Sequence, residues 1–211
     1  VDDDRPTVFV VDDDASMRSS LARLLRSADY AVETYASADE FLASNARDRR
    51  PACLVLDVRM PGLDGLSLQE ELLSQEDSLP IIFITGHGDI PMAVDTMKKG
   101  AVEFLPKPFD DEELLQAVRD GLRKDAQARA VFAERAAIRK RLESLTPREH
   151  EVLTYVITGL LNKQIAGALG ITEKTVIVHR GRVLHKMGVT SVAELVQLAA
   201  KAGVQAADAT P

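Results

Sequence analysis

The chain has 211 residues, 45% of them hydrophobic, with a formal net charge of −7 and a single cysteine, Cys53. That length accommodates two compact domains. One cysteine rules out an intramolecular disulfide and reads as a buried apolar residue of a reducing compartment, and no apolar run approaches the roughly 18 residues needed to span a bilayer.

The opening Val1-Asp2-Asp3-Asp4-Arg5-Pro6 lacks the basic and apolar segments of a signal peptide, so a cytoplasmic protein is expected. Taken whole, the acidity would argue weakly against a nucleic-acid partner, but it is uneven. Residues 1–120 hold 25 acids and 12 bases, whereas residues 121–211 hold 8 acids and 14 bases, so the two halves do different electrostatic work.

Residues 7–11 form the first apolar strand, and residues 16–28 place Met17, Leu21, Leu24 and Leu25 at helical spacing. A shorter, less hydrophobic strand over 31–35 and a helix over 38–45, anchored by Phe41 and Leu42, come next. Cys53-Leu54-Val55-Leu56-Asp57 is apolar until its last residue and runs through Val58, Arg59 and Met60 into a Pro61-Gly62 turn. Asp57 therefore closes a buried strand where a loop opens. Leu63, Leu66, Leu68, Leu72 and Leu73 mark a third helix, and residues 80–84 a fourth strand. Thr85-Gly86-His87-Gly88 is too glycine-rich for regular structure. Residues 90–99 form a helix that tolerates Pro91 only in its first turn, Gly100 closes it, and 102–105 is a fifth strand. Five strands alternating with helices predict a doubly wound α/β domain with a five-stranded parallel sheet.

From Asp110 the pattern turns helical. Between Glu112 and Glu143 there is no proline and one glycine, Gly121, while Leu114, Val118, Leu122, Val131, Ile138 and Leu142 recur at helical multiples. Acids gather at its start and Arg139, Lys140 and Arg141 near its end, as the helix dipole prefers. The expectation is a long helical connector, with any break near Gly121; the competing expectation is a short helix and a flexible spacer. Thr146-Pro147-Arg148-Glu149 then supplies a cap, a first-position proline and an acid three residues on. Four short helices follow over 148–158, 162–168, 173–187 and 192–201. Leu169-Gly170-Ile171 makes a tight turn before the third and Thr172 caps it, a helix-turn-helix pattern. Residues 204–211 are small and polar and are expected to fray. The expected domains are 1–121, a helical linker over 122–143, and an all-α tetrahelical unit over 144–211.

Asp12 and Asp13 follow the first strand, Asp57 the third, Thr85 the fourth and Lys107 the fifth. Each alone would read as a helix or loop cap; together they mark the carboxyl edge of a parallel sheet, where sites collect. Three converging carboxylates make sense only around a hard cation, and an all-oxygen set suits Mg²⁺. Asp57 can also act as a nucleophile toward a phosphoryl group. The oxygens of that group need the metal on one side and an ammonium and a hydroxyl on the other, which Lys107 and Thr85 supply. Pro106 and Pro108 bracket the lysine, and the bond before Pro108 is a candidate cis peptide. Nothing is poised for turnover of an outside substrate, so the site is built to hold a modification.

These residues carry a resemblance. Asp12-Asp13, Asp57, Met60-Pro61-Gly62, Thr85-Gly86 and Lys107-Pro108-Phe109 resemble the flavodoxin-like receiver domain of two-component response regulators over residues 7–121. The resemblance implies that Asp57 accepts phosphate from a sensor histidine kinase. It also implies that Asp12, Asp13, Asp57 and the Val58 carbonyl, or as second choice that of Arg59, hold Mg²⁺, and that Thr85 and Phe104 form a coupled switch. Chemistry would be confined to the domain's own phosphorylation and dephosphorylation. The segment from Ile84 to Val94 further resembles the FixJ group. Residues 145–198 are similar to the LuxR-type tetrahelical DNA-binding domain through Asn162-Lys163-Gln164-Ile165-Ala166, Thr175-Val176 and Val178-His179-Arg180. A transcriptional regulator is implied, with Lys174, Thr175, His179 and Arg180 on DNA, Arg182 and Lys186 as flanking cations, and RNA polymerase as a further partner. Phosphorylation would pair two copies through a surface containing Val94, Lys98 and Arg119, on a roughly palindromic promoter site. Ile177 departs from the pattern, since the family often carries a polar or charged residue there.

Other classes fit less well. Phosphatases of the haloacid dehalogenase kind need a second acid two positions after the nucleophile, and here that position is Arg59. A nucleotide-binding loop fails because the first strand opens into Asp12-Asp13-Asp14 without glycines. His179 has no cysteine or acid at ligand spacing, which excludes a metal there. A receiver acting mainly through protein contacts is the alternative to a DNA-binding regulator.

Overall fold

A computed structural model describes residues 5–44, 51–74, 79–86 and 90–207. The expected end of the 38–45 helix, His87 and Gly88 of the glycine-rich loop, and the last four residues lie outside that set. The chain divides into two compact units, Val1–Arg129 and Ala130–Pro211.

In the first unit β1 (Thr7–Val11), α1 (Ala15–Ser27), β2 (Ala31–Tyr35), α2 (Ala38–Ala43), β3 (Ala52–Asp57), α3 (Gly65–Ser74), β4 (Ile81–Thr85), α4 (Ile90–Lys98) and β5 (Glu103–Pro106) alternate. The strands form one parallel sheet in the order β2-β1-β3-β4-β5. Successive side chains of a strand point to opposite faces, and both faces of this sheet are covered, so the central strands β1, β3 and β4 are buried along their whole length. Val8, Val10, Val55, Ile82 and Ile84 pack with Leu21 and Leu25 of α1. Phe9, Val11, Leu54, Leu56 and Phe83 pack on the other face with Phe41 of α2 and Leu68 and Leu72 of α3. The edge strands β2 and β5 have only one buried residue each, which matches their weaker apolar patterns. Asp14 caps α1 by accepting from the Ser16 and Met17 amides, starting the helix one residue earlier than the apolar spacing predicts.

The last helix of this series, α5 (Asp111–Glu143), has residues in both units and is continuous through Gly121. The helix does not break at Gly121, where the glycine sits against close neighbours. A Cβ there would lie 3.2 Å from Cys53 Cβ and 3.7 Å from Pro80 Cβ and Ile82 Cδ1, so glycine lets the helix settle closely onto the sheet without displacing Cys53. One turn later the buried Asp125 accepts the Ala52 amide at 2.9 Å and pairs with Arg129. Cys53 is fully buried; burial pushes its thiol far above the ordinary range, and the charge of Asp125 pushes the same way. Beyond Asp125, residues 126–137 are exposed apart from the half-buried Arg129, and Val131 and Phe132 lie open at 49% and 75%. Val131, which helps to suggest the helix, is therefore not part of a core. No helix among the described residues is long and apolar enough to cross a membrane.

In the second unit α6 (Pro147–Val156), α7 (Asn162–Leu169), α8 (Glu173–Met187) and α9 (Val192–Lys201) close around Val152, Leu153, Ile165, Val176, Val183 and Leu195, with Ile138 of α5 buried among them. Thr146 and Glu149 form the anticipated capping box. Gly170, with φ +64°, ends α7 in the left-handed conformation, and Thr172 caps α8 two residues later, so the turn is as tight as the sequence suggests. Glu149 has a second task. It is buried, and Lys186 Nζ sits 2.7 Å from its Oε2 while also donating to the Ser144 carbonyl at 2.9 Å. The Lys186 hydrogen bond first, and the Thr146 amide after it, hold the Glu149 carboxyl down to about 2.

Gly121→Leu is expected to destabilise the first unit by about 1–3 kcal/mol through overpacking, seen as a lower urea midpoint with the second unit's transition unchanged. Because the Glu149 carboxyl lies below its ordinary value of 4.5, its contribution is full above that pH and lost as pH falls toward about 2. Glu149→Gln, which keeps a capping side chain without the charge, should lower the thermal midpoint of the second unit at neutral pH. The difference from wild type, followed by circular dichroism, should vanish as pH approaches about 2.

Candidate functional site

The sheet order reverses direction between β1 and β3, and the carboxyl ends of these two strands bring their following residues into one crevice. Asp12 leaves β1, Asp57 ends β3, and both are buried, at 0% and 7% exposure, while Asp13 is exposed. Carboxylate oxygens of Asp12, Asp13 and Asp57 lie within 4.8 Å of one another. Lys107, just past β5, reaches back with its ammonium 2.7 Å from Asp12 Oδ2 and 3.5 Å from Asp57 Oδ1. The Lys107-Pro108 peptide is cis, as the bracketing prolines suggest. Burial pushes the Asp57 carboxyl above its ordinary range; the Lys107 ammonium opposes this, and the neighbouring Asp12 reinforces it.

The scaffold holds this cluster from several sides. Arg18 of α1 donates to the Asp12 carbonyl at 2.6 Å, and the Asp14 amide donates to Asp12 Oδ1 at 2.8 Å. Thr85 is buried at the end of β4, and its carbonyl accepts the Lys107 amide at 2.7 Å. Phe104 is half-buried on β5 beside its register partner Phe83, with ring centroids 6.4 Å apart.

Two features of the loop after Asp57 are not apparent in the sequence motifs. The Val58 carbonyl, the first choice for a backbone metal ligand, accepts the Gly65 amide at 3.0 Å, which takes one of its two acceptor positions; the Val58 amide in turn donates to the Ile84 carbonyl at 3.1 Å. Gly65 is required at this place, because a Cβ there would fall 2.3 Å from the Asp57 carbonyl oxygen and 3.0 Å from Val58 Cα. It reads in sequence only as part of a leucine-rich helix start.

Three carboxylates facing one ammonium leave an excess of negative charge, and the donors are all oxygen, so the residues present fit a hard divalent cation. On the flank of the same unit, Ile90, Val94 and Met97 make an exposed apolar stripe on α4 at helical spacing, 81%, 45% and 42% open. Lys98 is exposed beside it, and Arg119 of α5, also exposed, is paired with Glu112.

In the second unit the sequence-derived DNA-binding candidates of α8 differ in exposure and partners. Lys174 and Arg182 are exposed, and Thr175 and His179 are half-buried, Thr175 Oγ1 lying 2.8 Å from the Thr172 hydroxyl that caps the helix. Arg180 donates to Asn162 Oδ1 at 2.8 Å, tying α8 to α7. Lys186, expected to flank DNA, instead holds the buried Glu149, because a buried carboxylate without a partner is far more unfavourable than a surface cation withdrawn from solvent.

Comparison with known proteins gives the same division. Residues 8–119 match the response regulator receiver domain, and residues 143–199 match the luxR family of bacterial regulatory proteins. The chain is 49% identical over 199 residues to nodulation protein W of Bradyrhizobium diazoefficiens, covering 94% of this chain and 87% of that one. It is 46% identical over 205 residues to the transcriptional regulatory protein FixJ of Azorhizobium caulinodans, covering 97% of each. The solved response regulator StyR is 52% identical, with a TM-score of 0.85 over 93% of this chain and 99% of that one. With a receiver sheet, an aspartate cluster fitted to phosphorylation-based control and a luxR-family helix-turn-helix, the chain belongs to the FixJ/LuxR-type two-component response regulators.

Proposed function

We propose that this protein is a phosphorylation-activated transcriptional regulator in which Asp57 takes a phosphoryl group from a sensor histidine kinase, the receiver then pairs with a second copy, and the paired helix-turn-helix units bind promoter DNA and act on RNA polymerase. The assignment divides the chain into a receiver over 1–121, a helical linker over 122–143 and a DNA-binding domain over 144–211. The observation that carries the reading is the Lys107 ammonium set between Asp12 and Asp57. As a receiver, the domain takes on and sheds its own phosphoryl group and is not an enzyme of outside substrates.

Asp12, Asp13, Asp57 and the backbone carbonyl of Arg59 would hold Mg²⁺, Arg59 being preferred to Val58 because Gly65 takes one acceptor position of the Val58 carbonyl. When bound, the metal supplies positive charge to the carboxylates and to one face of the phosphoryl group. An Asp57 oxygen attacks phosphorus as the P–N bond to the kinase histidine breaks, so the carboxyl must be ionised. Burial works against that, and the Lys107 ammonium opposes burial. The Lys107 ammonium and the Thr85 hydroxyl then take the phosphoryl oxygens. Thr85 precedes Gly86 at the end of β4, and Phe104 lies on the adjacent strand, so movement of Thr85 toward the phosphate makes room for Phe104 to turn inward. The exposed Ile90, Val94 and Met97 stripe, together with Lys98 and Arg119, is the surface for the second copy. Lys174, Thr175, His179, Arg180 and Arg182 are the DNA-facing set, with Arg180 also bracing α7. The transcriptional role printed for the FixJ relatives supports this reading.

Treatment with a small phosphodonor and Mg²⁺ should add one phosphoryl group by intact mass to the wild type and none to Asp57→Ala, while Asp13→Asn should weaken Mg²⁺ binding at least tenfold in a metal titration. Equal phosphorylation of Asp57→Ala would overturn the phosphoacceptor assignment.

Val94→Asp should leave phosphorylation intact and abolish the phosphorylation-dependent dimer in sedimentation velocity. Its loss of avidity should lower affinity for a paired DNA site by roughly 10²- to 10⁴-fold. A phosphorylated protein that enriches no genomic DNA would instead favour a receiver acting through protein contacts.

A further inference from the structure

The face of α8 turned away from its core carries Lys174, Ile177, Val178, Gly181, Arg182 and His185. Two of these are poorly explained by contact with water. Ile177 and Val178 are 53% and 46% exposed, large aliphatic side chains side by side in the middle of an otherwise polar face. Gly181 is the third peculiarity. Glycine inside a helix is destabilising relative to alanine, and here the fold offers no compensation: the residue is not at positive φ, and a Cβ would meet nothing within 4 Å. At Gly65 and Gly121, by contrast, a Cβ would strike a neighbour at 2.3 and 3.2 Å. Gly181 follows Ile177 by four residues, so the absent side chain and the aliphatic pair share one strip along the helix.

Cations border the strip. Lys174 stands one turn before Ile177 and Arg182 next to Gly181, both exposed. Apolar surface between cations matches a B-DNA major groove, whose floor carries thymine C5-methyl groups and whose walls are phosphates. We propose that Ile177, assisted by Val178, reads thymine methyl groups in the major groove, and that Gly181 is kept free of a side chain so that α8 can approach the base edges closely. The inference rests on the DNA-binding reading of this unit and adds to it a base preference: each half-site places thymines opposite Ile177.

The test uses the full chain with phosphodonor and Mg²⁺, and a duplex recovered by selection from a random-sequence library. Replacing each thymine in turn by uracil removes only the C5-methyl. In the wild type one or two replacements per half-site should weaken binding by roughly fourfold each, the size expected for one buried methyl. In Ile177→Ala the thymine duplex should bind more weakly, and the same replacements should have no effect. Gly181→Ala should raise the thermal midpoint of the second unit and yet lower DNA affinity, a pairing that a merely structural role does not produce. A uracil series without effect in the wild type, or with the same effect in Ile177→Ala, overturns methyl reading; unchanged affinity in Gly181→Ala overturns the close approach. If the selection enriches no duplex, the DNA reading itself falls. Self-association lost in Ile177→Asp would then assign the strip to a second copy of the chain.

Discussion

Lys107 stands 2.7 Å from Asp12 and 3.5 Å from Asp57, and the two carboxylates are both buried. Without that ammonium they would repel each other where solvent cannot screen them, and breaking a buried ion pair by removing one partner is strongly destabilising. Much of the first unit serves this contact. The parallel sheet places β1 and β3 side by side so that their ends coincide, β5 is carried to the far side of β4 so that its following lysine must reach back, and Arg18 and Gly65 fix the loops between. The same arrangement leaves three carboxylates facing one ammonium, an excess of negative charge.

Most of this was legible along the chain because the information is local. Apolar runs ending in Asp12, Asp57, Thr85 and Lys107 announce strand ends, and the parallel topology that brings them together follows from alternation with helices. The helix-turn-helix was legible for the same reason: Thr146, Gly170 and Thr172 are capping and turn residues whose chemistry acts within three or four positions.

What escaped the sequence depends on partners far along the chain. Gly121 looks like a helix breaker until Cys53 and Pro80 are found against it. Lys186 has the spacing of a DNA-facing cation, but Glu149, buried by the packing of α6 on α8, claims it. Val58 and Arg59 are neighbours in sequence, and the Gly65 amide on the Val58 carbonyl appears only in the fold. Val131 has helical periodicity with Leu122 and Ile138, yet periodicity shows that a residue lies on a stripe, and not that anything covers the stripe there.

Cys53 has a practical corollary. It is the sole thiol in the sequence, fully enclosed between the central strand and α5, and held protonated by burial and by the nearby Asp125. Thiol-directed reagents act on accessible thiolates, so the native chain is a silent background for them. A cysteine placed at an exposed position such as Val94 or Phe132 would take up a fluorophore or spin label alone. Distances between labelled copies could then be followed during signalling without altering the native cysteine.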